Sequence, residues 1–173
     1  MTTSLQRIGR TAVTSALALA LAAATAAPAA AVTRRVEDRA DADLPARLDL
    51  RRVAFESNPA QLRVIAHLRG LTRRGAVELT VRFDDGRGAP HVATITRHRR
   101  GFVSSDHRWQ PNAGDAYVDC DADADARFRP RKDHVVLFVP YCGGTPHHDI
   151  SLETSTPSGP PVDRVALARI TAG

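Results

Sequence analysis

The clearest pattern in the chain is an alternation of apolar and polar residues with period two. Val77, Leu79, Val81 and Phe83 alternate with Glu78, Thr80 and Arg82, which predicts a strand with one face buried and the other wet. Leu62, Val64, Ala66 and Leu68 repeat the pattern upstream, against Arg63, Ile65, His67 and Arg69. Leu48–Leu50 and Val53–Phe55 form an earlier strand whose parity shifts at Arg51-Arg52, so a bulge is expected there. Asn58-Pro59, Gly70–Gly75 and Asp84–Gly88 supply the turns, and the three strands read as a meander. Downstream, His91–Thr96, Phe102–Ser105, Ala116–Cys120, His134–Tyr141, Ile150–Thr154 and Val165–Ile170 read as further strands. Val135–Val139 is apolar at every position, as expected of a strand covered on both faces. Eight or nine short strands without a long helical period predict an all-β fold. The expected form is an antiparallel β-sandwich of immunoglobulin-like or jelly-roll type.

The N-terminus breaks this pattern. Arg7 and Arg10 precede the uncharged, alanine-rich run Thr11–Ala27, and Ala29-Ala30-Ala31 offers small residues for cleavage before Val32. Residues 1–31 therefore read as a signal peptide. Residues 32–46, charged and without a sustained period, read as a flexible leader. Residues 47–173 read as the sandwich domain, and the protein is expected to be secreted, with no membrane association after cleavage. Loss of Arg7 and Arg10 takes the net charge from +5 to +3. Lys132 is the only lysine among 24 basic residues, so the high isoelectric point reflects arginine usage, a composition that suggests a GC-rich genome. With one Trp, two Tyr and five Phe, aromatic stacking surfaces are few, and a nucleic-acid partner is not expected.

Two cysteines in an exported domain, Cys120 and Cys142, predict one disulfide. In the chain-entropy model it stabilises the fold by about 3 kcal/mol. Between them lies the acidic run Asp119, Asp121, Asp123 and Asp125, which suggests calcium. Neither EF-hand register fits: starting at Asp119 puts Ala124 at the turn glycine and Pro130 at the bidentate glutamate, and starting at Asp121 puts Ala126 and Lys132 there. The run reads as a solvated hairpin loop balanced by Arg127, Arg129, Arg131 and Lys132. Among seven histidines, His147 and His148 with Asp149 make the best zinc or copper candidate. Neighbouring side chains on a strand face opposite ways, so at most one of that pair would join His91 or His107. Ser104-Ser105-Asp106-His107 holds hydrolase residue types in one run, but triad members meet through the fold and no G-x-S-x-G elbow is present. No catalytic residue is assigned. Arg73-Arg74 and Arg97-His98-Arg99-Arg100 read as basic turns, suited to an anionic cell-wall polymer or lipid head group. Trp109 and Tyr141 are the aromatics a sugar ring would stack on.

At VPYCGGTP (Val139–Pro146) and LDLRRVAF (Leu48–Phe55), the chain resembles small secreted actinobacterial β-sandwich proteins. The opening strands also resemble the sugar- or haem-binding sandwiches of the DOMON and family-9 carbohydrate-module group. The resemblance implies a β-rich fold and export. It transfers no functional residue: Tyr141 stands where those relatives carry a basic residue. A Met/His haem ligation is closed, because the only methionine is Met1.

The expectation is a monomeric, non-enzymatic exported domain without a cofactor, binding a cell-wall or other extracellular ligand. The alternatives are a small metal-dependent or hydrolytic enzyme using His147, His148 and Asp149, and a structural domain without ligand.

Overall fold

The computed structural model describes residues 32–72, 75–84, 90–111, 114–142 and 148–170. Eleven strands and one short 3-10 turn (Pro130–Lys132) are present, with no α-helix among the described residues. The strands are β1 (Val32–Glu37), β2 (Leu50–Ser57), β3 (Gln61–Leu68), β4 (Val77–Asp84), β5 (Pro90–Arg97), β6 (Val103–Trp109), β7 (Val118–Asp119), β8 (Asp125–Arg129), β9 (His134–Pro140), β10 (His148–Ser155) and β11 (Asp163–Arg169). They form two antiparallel sheets, one ordered β1-β2-β3-β9-β8 and the other β11-β10-β4-β5-β6-β7. The β-sandwich read from the alternation is the fold.

The alternating positions fill the space between the sheets. Leu62, Val64, Ala66 and Leu68 of β3 face Val77, Leu79, Val81 and Phe83 of β4 across the core, all of them buried. The register shift between Leu50 and Arg52 places the expected bulge in β2. At the β2–β3 hairpin, the Asn58 side-chain oxygen accepts from the Ala60 and Gln61 amides at 2.9 and 3.0 Å, the Asx turn that an Asn-Pro pair favours.

Three expectations are corrected. First, the opening strands do not form a three-strand meander. The chain leaves one sheet after β3 and enters the other at β4, and β9, apolar from Val135 to Val139, takes the free edge of β3. The crossing segment is anchored by buried Leu71, whose amide donates to Asp133 Oδ1 at 2.9 Å.

Second, part of the expected leader is a strand. Val32–Glu37 pairs with β2 from Val32↔Ser57 to Glu37↔Arg52. It is an edge strand in which only Val32 and Val36 pack against the core. Two apolar residues four apart give no period-two signal, and the ladder is held by backbone hydrogen bonds that carry no sequence signature.

Third, the segment between the cysteines is not one hairpin loop. Asp125–Arg129 forms β8, paired with β9 from Asp125↔Phe138 to Arg129↔His134. Alternation within it is muted because Ala126 and Phe128 are only partly buried at a sheet edge.

The chain crosses between sheets three times: after β3, after β7 and after β9. Cys120 directly follows β7 and Cys142 lies two residues beyond β9. Their disulfide, S–S 2.06 Å, therefore ties two crossovers and both sheets together. No helix among the described residues is long and apolar enough to cross a membrane.

Candidate functional site

β5 and β6 form a hairpin in the register Arg97↔Val103 to His91↔Trp109. On the inward face of β5 lie His91, Ala93, Ile95 and Arg97, all buried. The strand is apolar in the middle of that face and polar at both ends. Each polar end builds a different kind of site.

At the first end, His91 is 0% exposed and His107 4%. Because Ala93 pairs with His107 and His91 with Trp109, the two histidines are diagonal neighbours on one face of the hairpin. Cys142 reaches them from the other sheet. One ligand atom from each of His91, His107 and Cys142 lies within 4.8 Å of the others. The Cys142 Sγ is 3.8 Å from both ring nitrogens of His107. His107 Nδ1 lies 3.2 Å from the Ala122 carbonyl oxygen, a contact that places the proton on Nδ1 and leaves Nε2 with its lone pair.

Aromatic rings fix this cluster. His91 stacks on Phe83 with ring centres 4.5 Å apart and on Trp109 at 5.8 Å. Tyr141 meets the edge of Phe83 at 6.2 Å and shares a 2.9 Å hydrogen bond with the Ser57 hydroxyl. Burial pushes the His107 pKa down, against opposing contributions from the Ala122 carbonyl, Asp106 and Asp123. Burial likewise raises that of Tyr141. A cleft of about 220 Å³, lined by Trp109, Asp119, Asp121, Ala122, Tyr141 and Cys142, opens onto the disulfide.

At the second end, Arg97 is 3% exposed, a correction to its reading as part of a solvated turn. Its guanidinium donates to the Thr72 carbonyl at 2.7 Å and the Gly75 carbonyl at 2.8 Å. It also lies 4.7 Å over the Phe128 ring of β8. Arg97 thus closes the first crossover and has few donors left to offer a ligand.

The turn beyond it faces outward. Gly101, at φ +90°, lets the Phe102 carbonyl receive the His98 amide at 3.0 Å. His98 stacks on Phe102 at 4.1 Å, and Phe102 is 58% exposed. Arg99 and Arg100 are exposed and make no ion pair among the described residues. With Arg47 and Thr156 they line a cleft of about 610 Å³ whose described lining contains no carboxylate.

The residues singled out from the sequence are distributed as follows. The Cys120–Cys142 disulfide is formed. His147 lies outside the described residues. His148 begins β10, and Asp149 is exposed at φ +48°. Asp119, Asp121 and Asp123 are exposed, and they form no metal-ligand cluster among the described residues.

The sequence places His107 in a serine-histidine run and, with His91, among the possible metal partners of His147 or His148. Its partners in space are instead His91 and Cys142. The signal for His91 was present: it sits in phase with Ala93 and Ile95, so its side chain must point inward. No family model, curated protein or solved structure matches the chain.

Proposed function

We propose that this is an exported, non-enzymatic β-sandwich domain that binds an anionic polymer at the cell surface through the cleft at the β5–β6 turn. One observation carries this reading. A cleft of about 610 Å³ gathers Arg47, His98, Arg99 and Arg100 around an exposed Phe102, with no carboxylate in its described lining. Arg99 and Arg100, which make no ion pair among the described residues and sit beside a ring that can pack on a sugar or alditol, suit a phosphate- or carboxylate-bearing chain. The disulfide suits an oxidising compartment. With the alanine-rich segment ahead of Val32, it supports export and a location at or outside the cell surface.

The test is direct binding of polyphosphate and of a neutral glucan to the protein at rising salt. Polyphosphate should bind and weaken as salt screens the arginines. Arg99→Ala with Arg100→Ala should cost about fivefold to tenfold in affinity, the worth of two exposed charge contacts. Equal binding of the neutral glucan, or binding indifferent to salt and to both arginines, sinks the proposal. Vesicles of phosphatidylglycerol in phosphatidylcholine serve as a third arm. Tighter binding there than to polyphosphate would assign the cleft to lipid and overturn the polymer reading.

A further inference from the structure

At the opposite end of β5 from the basic cleft, we propose a redox-gated site for a zinc-class divalent ion, built from His91, His107, Cys142 and Cys120. Three observations carry it independently of the polymer-binding reading. First, the ligand atoms of His91, His107 and Cys142 already lie within 4.8 Å of one another. Cys120 is not within that group, but its Sγ is bonded to Cys142 Sγ, so breaking the disulfide frees a fourth donor beside the three. Two imidazoles and two thiolates are a complete tetrahedral set for zinc, with bonds of about 2.0–2.3 Å.

Second, the outer partners are in place. His107 Nδ1 faces the Ala122 carbonyl, which orients Nε2 as the ligand atom in the way metal-binding histidines are usually held. The Cys120 amide donates to the His107 carbonyl at 2.9 Å, so the backbone of one donor is fixed to that of another. Third, the cleft beside Trp109, Tyr141 and Cys142 gives an ion a way in from solvent.

The disulfide makes the site conditional. While the S–S bond stands, neither sulfur is a thiolate, and two imidazoles alone are a weak half-site. A dithiol reductant gives two electrons and two protons to the Cys120–Cys142 bond and itself becomes a disulfide. The bond breaks and two thiols form. A divalent ion then binds as both thiols release their protons to water. The crossovers held by the disulfide in the oxidised protein are held by the ion in the reduced one.

The experiment compares oxidised protein with protein reduced by a phosphine and desalted without oxygen. Each is titrated with cobalt(II), then with zinc. Reduced protein should take up one cobalt ion with the thiolate charge-transfer and visible bands of a tetrahedral sulfur–nitrogen site. Zinc should displace it, and oxidised protein should show neither event. His107→Leu should weaken cobalt binding by more than the roughly 10–100-fold that losing an outer-shell partner costs, with the melting temperature of its oxidised form confirming that it folds. Should that variant not fold, alkylation of the reduced native protein decides the matter. Zinc should slow modification of Cys120 and Cys142 at least tenfold. Octahedral cobalt spectra, binding equal in both redox states, or thiols that zinc leaves unprotected would each overturn the proposal.

Discussion

The two ends of β5 are built from the same pattern and do different work. Each places a polar side chain on the inward face, and each ties its sheet to the other. At the Arg97 end the tie is consumed by structure, since backbone carbonyls of the crossover and the Phe128 ring absorb the guanidinium. Ligand-binding capacity there passes to the exposed turn of Arg99, Arg100 and Phe102. At the His91 end the tie is a disulfide packed against imidazoles, and the chemistry stays inside. A buried polar group is a poor recognition element when its partners are fixed carbonyls, and a promising one when its partner is a bond that can be broken.

The contrast can be tested by breaking each end in turn. The largest effect should come from Phe83→Ala, which removes the ring under His91 and should cost about 3–5 kcal/mol in denaturant unfolding. A cost below 1 kcal/mol would mean that the histidine end is not held by packing. Replacing Cys120 and Cys142 together by alanine should cost about 3 kcal/mol and leave the fold intact. Free thiols in the native protein, or an unchanged melting temperature, would remove the staple from the account.

At the other end, Arg97→Met should cost about 1–3 kcal/mol by stranding the Thr72 and Gly75 carbonyls. Polyphosphate binding should be nearly unchanged, and a large loss of binding would show that Arg97 serves the cleft after all. A smaller effect is set by pH. Because burial lowers the folded-state pKa of His107, its contribution is fully present above the unfolded value of about 6.5 and is lost as pH falls from there toward the folded value. His107→Gln should flatten the acid side of the stability profile. A profile still as steep would assign that sensitivity to other groups. Smallest of all, Arg99→Ala with Arg100→Ala should shift stability by less than about 0.5 kcal/mol, so that any loss of binding is a loss of contacts.

Much of this architecture was legible along the chain. Period two in β3 and β4, the bulge at Arg51-Arg52 and the cysteine pair all follow from local rules, and each is present in the fold. β1 and β8 escaped notice because edge strands bury few side chains, so their pairing leaves little mark on sequence. The histidine cluster escaped for a different reason. His91 and His107 can be paired once the hairpin register is known. That Cys142 meets them depends on β9 lying in the opposite sheet, a long-range fact that no local pattern encodes. The acidic run drew attention because its residues are adjacent in sequence, whereas the candidate ligands come together from three separate segments.

The strand added by Val32–Glu37 also bears on self-association. It is the outermost strand of its sheet, with Arg34, Arg35 and Glu37 turned to solvent, and such charges discourage edge-to-edge docking. Behind it, β2 carries Val53, Ala54 and Phe55 in sequence. Proteolytic trimming up to Glu37 would leave the buried core nearly whole while uncovering the β2 ladder, a template on which a second molecule could add a strand. The most dispensable segment for packing would then be the one that keeps the protein from polymerising.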